Sequence, residues 1–86
     1  MKKDIIERLD TLRVRRSTYK ARLEMLSNVE PKIGETHDYW MEIYDESRSA
    51  VYRKSVSFES VQKRIRNEME SLQQLIDQID EEIEAL

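Results

Sequence analysis

Apolar residues in the first third of the chain recur at Ile5, Leu9, Leu12, Tyr19, Leu23 and Leu26, with Arg16 in the place where the series skips one. Alternating steps of four and three put such residues on one stripe of an α-helix, and the seven-residue repeat makes that stripe a coiled-coil seam. The pattern stops within residues 27–34. There Pro31 removes a backbone donor and disfavours helical geometry at Glu30, and Gly34 permits a turn. The spacing predicts a helix over about residues 3–28.

A second helix is expected to open at Thr36, whose hydroxyl is suited to cap a free N–H, with Glu35 and Asp38 near the positive end of the helix dipole. From there to Leu86 the chain has neither Gly nor Pro. Every seventh residue is apolar or aromatic: Tyr44, Val51, Phe58, Ile65, Leu72, Ile79 and Leu86. The companion row, Met41, Arg48, Ser55, Gln62, Met69, Ile76 and Ile83, becomes apolar only in its last half. The strongest seam is therefore Ile65, Met69, Leu72, Ile76, Ile79, Ile83 and Leu86, a ridge that has to be covered and a candidate oligomer interface.

The fold class predicted is all-α, a single helical coiled-coil domain over residues 1–86. Helices at about 3–28 and 36–86 would form an antiparallel coiled-coil hairpin. If the second helix breaks near 55–57, where Ser55, Ser57, Ser60 and the β-branched Val56 lower helix propensity, a three-helix bundle results. In that case the hydroxyls are placed to cap a new helix start.

Charge then selects the partner of the first helix. Residues 1–26 carry eight Lys or Arg against four acids, and residues 66–86 carry Arg66 against seven acids. Laid antiparallel on the last segment, the first helix brings Arg8 to Glu82 and Arg22 to Glu68. Exposed pairs each contribute only about 0.3–0.5 kcal/mol, so they set register, while burial of each large apolar side chain, about 1.5–3 kcal/mol, drives the association. Arg16 is expected to snorkel outward from the seam with its stem covered.

The aromatic group Tyr39, Trp40, Ile43 and Tyr44, with Tyr52 further on, has two readings. On a helix, 39 aligns with 43 and 40 with 44, giving an apolar band wide enough for the core of a helix junction. The alternative is a partner-binding patch, since Trp and Tyr concentrate at interface hot spots.

Length and composition narrow the function. Eighty-six residues with 38% charged side chains and a net charge of -3 suit one small domain, whose modest core favours association with a copy or a partner. The absence of cysteine removes disulfides and thiolate metal sites. His37, the only histidine, stands beside Asp38, but no cysteine, second histidine or paired motif supplies the further ligands or nucleophile that metal or acid–base work needs, and the run Asp80, Glu81, Glu82, Glu84 lacks the glycine-containing loop of a calcium site. No catalytic, cofactor-binding or metal residue is therefore expected.

No apolar window reaches the ~20 residues of a membrane span, and the charged start is unlike a signal peptide, so a cytoplasmic location without membrane contact is expected. The function expected is a non-enzymatic protein–protein interaction module, an adaptor, assembly factor or inhibitor, and a homodimer. One alternative is a nucleic-acid-associated accessory protein using the basic Arg13, Arg15, Arg16, Lys20 and Arg22. Another is an acidic nucleic-acid mimic built on the last helix.

Overall fold

The computed structural model describes residues 2–86. Helix α1 spans Lys2–Val29 and ends in a single 3-10 turn, Glu30–Lys32, with Pro31 in its first turn. Strands β1, Tyr39–Tyr44, and β2, Ala50–Val56, form an antiparallel β-hairpin, and helix α2 runs over Phe58–Glu84. The two helices pack antiparallel, with the hairpin inserted between them in sequence. The molecule measures 55 × 31 × 15 Å, consistent with helices of about 40 Å at 1.5 Å per residue carrying the hairpin beyond one end.

The first helix lies where its heptads put it, and α2 begins where the serines allow. Ser57 is its N-cap, its hydroxyl accepting from the Ser60 N–H at 3.2 Å, which satisfies one of the free donors of the first turn. The core is the seam between α1 and α2. Leu12 is 1% exposed, and Leu72, Ile76 and Ile79 are buried against it from the other helix. Ile65, Met69 and Ile83 are half-buried, and Leu86 is half exposed. The middle of the apolar ridge is thus covered by α1 of the same chain, while its end at Leu86 stays open.

The antiparallel match of basic and acidic helices is realised in part. Arg8 Nη2 lies 2.8 Å from Glu82 Oε2, the expected pair. Among the described residues Arg22 and Glu68 do not pair; Arg66 Nε instead meets Glu30 Oε1 at 2.7 Å, tying the end of α1 to α2. Arg16 does more than snorkel. Its Nε donates to Asp80 Oδ1 at 2.7 Å, and this hydrogen bond, with the attraction of the carboxylate, raises the guanidinium pKa further above its ordinary value. Both groups stay more than a third exposed, so the pair marks register at the seam's border without being a buried charge pair.

The all-α expectation fails between residues 36 and 56. No helix starts at Thr36, which lies in a turn, and the segment predicted as helix 36–54 is the hairpin. The physical reason is local. Tyr-Trp-Met-Glu-Ile-Tyr and Ala-Val-Tyr-Arg-Lys-Ser-Val are rich in aromatic and β-branched residues that fit a pleated surface. Between them, residues 45–49 carry turn chemistry without a glycine. Asp45 Oδ1 accepts from the Ser47 N–H at 2.9 Å, the Ser49 N–H at 3.1 Å and the Ser47 hydroxyl at 2.6 Å. The Arg48 N–H donates to the Asp45 carbonyl and the Asp45 N–H to that of Ser49. Arg48 takes the left-handed conformation, φ 64°, that such a loop demands.

These donors, the Ser47 hydroxyl foremost and then the Ser49 amide, hold the Asp45 carboxyl below the usual carboxylate range. A carboxyl depressed in the folded hairpin stabilises it at pH above the unfolded value of about 3.9, and that contribution disappears as pH falls through the lower folded value. In an NMR titration the Ser47 and Ser49 amide shifts are expected to move together with a midpoint below that of a free Asp. In Asp45→Ala these acid transitions are expected to be absent.

Candidate protein-contact surface on the β-hairpin

The strand register pairs Tyr39 with Val56, Trp40 with Ser55, Met41 with Lys54, Glu42 with Arg53 and Ile43 with Tyr52, before a bulge that leaves Val51 opposite no residue and pairs Tyr44 with Ala50. Directly opposed residues share a face and successive ones alternate. Tyr39, Met41, Ile43, Tyr52, Lys54 and Val56 therefore occupy one face, and Trp40, Glu42, Tyr44, Arg53 and Ser55 the other. The group Tyr39, Trp40, Ile43, Tyr44, grouped by helical spacing, is split between the two sides, so the helix-junction reading does not hold.

The base of the hairpin is anchored. The Tyr39 hydroxyl accepts from the Gly34 N–H at 2.8 Å and donates to the Gly34 carbonyl at 3.1 Å, fixing the connection from α1. Arg64 of α2 donates to Met41 Sδ at 3.3 Å. A recess of about 330 Å³ lies where the base of the hairpin meets the start of α2, its apolar part made by Trp40, Met41, Val56, Val61 and Ile65 and its polar part by Lys54, Ser60 and Arg64. Further out nothing covers the strands. Ile43 and Tyr52 stay about half exposed although they continue the anchored face.

On the opposite face the Arg53 guanidinium stacks over the Trp40 ring at 4.2 Å from its centroid and lies 3.4 Å from Glu42. The Tyr44 hydroxyl donates to the Glu42 carboxylate, and that hydrogen bond raises the phenol pKa above its ordinary value. These contacts organise the side chains without hiding them. Trp40 is 54% and Tyr44 57% exposed. The result is a flat, partly preordered aromatic surface with a cation and an anion built in. Arg53 belongs to this surface and was not identifiable from helical spacing; the signal for it is the register of two aromatic-rich runs about the Asp45 turn.

Arg8 and Arg16 of the basic helix are engaged by acids of α2, and Glu82 and Asp80 of the acidic helix are held by the same contacts. His37 lies in the turn before β1. No group of three or more His, Cys, Asp or Glu among the described residues is arranged to hold a metal ion. No helix among them is long and apolar enough to cross a membrane. Comparison of the chain with protein-family models, with curated proteins and with solved structures finds no match.

Proposed function

We propose that this chain is a non-enzymatic protein–protein interaction module acting in the cytoplasm, as an adaptor, assembly factor or inhibitor. The antiparallel helices serve as a stalk and the β-hairpin as the contact element. One observation carries the reading: Trp40 and Tyr44 project from one side of a strand and stay more than half exposed even with Arg53 over the Trp40 ring and Glu42 bonded to the Tyr44 hydroxyl. Trp, Tyr and Arg are the side chains that most often dominate binding energy, because a large ring desolvated in a partner's pocket contributes far more than a rim contact. Here the ring is already stacked under Arg53, so less side-chain freedom is lost on binding.

The decisive experiment is recovery of a stoichiometric protein from lysate by the native chain and by Trp40→Ala/Tyr44→Ala. Each truncated hot-spot residue costs at least about 2 kcal/mol, so the double variant should lose capture by more than a hundredfold while its helical circular dichroism remains, since neither ring is in the α1–α2 core. Undiminished capture by the double variant removes the hairpin from the proposed role.

A further inference from the structure

Much of the β-hairpin is open to solvent. Trp40, Ile43, Tyr44, Val51 and Tyr52 are each about half exposed or more. The sheet has two strands, so the outer edge of each presents backbone N–H and C=O groups without a neighbouring strand. Such a hairpin is marginally stable in water until a third strand or a helix covers it. The whole chain also exposes more surface than its size requires. Its accessible surface of 7217 Å² exceeds by about 1,800 Å² that of a compact monomer of the same mass. Its radius of gyration of 17.6 Å compares with about 12 Å for a compact domain of this length.

The two edges differ in charge. Strand β2 carries Arg53 and Lys54 in succession, and laying it antiparallel in full overlap on its own copy sets Arg53 opposite Arg53, a destabilising pair that guards the edge. Strand β1 carries a single charge, Glu42. A two-fold axis normal to the sheet through Met41 pairs Met41 with Met41 of a second copy, Trp40 with Glu42 and Tyr39 with Ile43, so no like charges are opposed. One face then reads Arg53, Glu42, Trp40, Ser55 across the four strands, with cation, anion and ring in adjacent places. Pairing β1 with β2 of another copy is heterologous and leaves a free edge at each end, so it does not close as a dimer.

We propose that the chain is a homodimer joined edge to edge through β1, with the two hairpins forming one four-stranded antiparallel sheet centred on Met41. Edge pairing leaves both faces of the sheet open, so the Trp40–Tyr44 surface is doubled and not covered. The proposal rests on the hairpin being the contact element, and it names a second copy as one partner of that element.

The test is sedimentation of the full chain over a wide concentration range, beside Met41→Glu and Met41→Cys. The native chain should sediment at twice its 10.4 kDa mass. Within one chain the new carboxylate of Met41→Glu stands opposite Lys54 and near Arg64, so folding is retained. Across the two-fold it faces its own copy, and dimer affinity should fall at least tenfold with helicity unchanged. The chain has no cysteine, and side chains opposed across antiparallel strands have Cβ atoms about 4.5–5.5 Å apart. Mild oxidation should therefore convert most Met41→Cys to a covalent dimer while leaving Glu46→Cys, at the hairpin tip, largely uncrosslinked. A native chain that sediments as a single copy throughout overturns the proposal, as does a dimer that Met41→Glu leaves intact. Neither result alters capture by the Trp40/Tyr44 variant, so failure of the dimer and failure of the contact-surface reading are read separately.

Discussion

Replacing Leu12 by alanine is expected to lower the melting temperature by about 15–25 °C and to leave part of the chain unfolded at ambient temperature. Leu12 is 1% exposed and is the most deeply buried large side chain among the described residues. Truncating a fully buried leucine costs about 2–5 kcal/mol, the lost transfer energy plus the cavity left behind. In a domain of this size each kcal/mol corresponds to about 4–8 °C. The effect is large because the core is thin. Total stability for a domain of this length is on the order of 4–13 kcal/mol, and a two-helix seam with few fully buried side chains belongs at the low end. Val14, two residues on and 66% exposed, supplies the control: Val14→Ala should change stability by no more than about 0.5 kcal/mol. Thermal melts followed by circular dichroism at 222 nm distinguish the two. Equal effects would show that α1 does not bury the Leu12 stripe.

Ile76→Asp should abolish the helical hairpin at neutral pH and allow it to return partly in acid. Ile76 is 4% exposed in the middle of the α2 seam, where an ionised carboxylate loses its water. Burial raises the folded-state pKa of such a group above its unfolded value, so the destabilisation is present at high pH and is relieved as pH falls and the neutral acid forms. Ile76→Asn, similar in shape but without a titration, should be destabilised at every pH and show no acid recovery. Ile76→Asn also reports by itself any effect of acid on the rest of the chain. Helicity in Ile76→Asp that is native-like at neutral pH would mean that the ridge is open to water.

The stalk was readable from residue spacing because its determinants are local and periodic. The steps from Ile5 to Leu26 define one stripe and those from Ile65 to Ile83 another. The excess of arginine and lysine in one segment and of acids in the other orients them, as the Arg8–Glu82 pair shows. The same periodicity misled between Tyr44 and Phe58. Tyr44, Val51 and Phe58 fall on the heptad count by coincidence, and the lack of Gly and Pro concealed a turn made by Asp45, Ser47, Ser49 and a left-handed Arg48. A short apolar run satisfies helical and strand patterns almost equally.

Residue spacing and charge were thus enough for the two heptad stripes and their antiparallel match, since each depends on side chains within a few turns or on net charge; the start of the second helix, expected at Thr36 with a break near 55–57 only as an alternative, was fixed by the fold at Ser57. Only the tertiary structure decided that the aromatic segment is a hairpin and that Trp40 and Tyr44 face away from Tyr39 and Ile43. Strand pairing joins residues up to seventeen apart through backbone hydrogen bonds. A one-residue change of register would exchange the two faces, and that choice is made by the turn and by the contacts at the hairpin base, not by the composition of either strand.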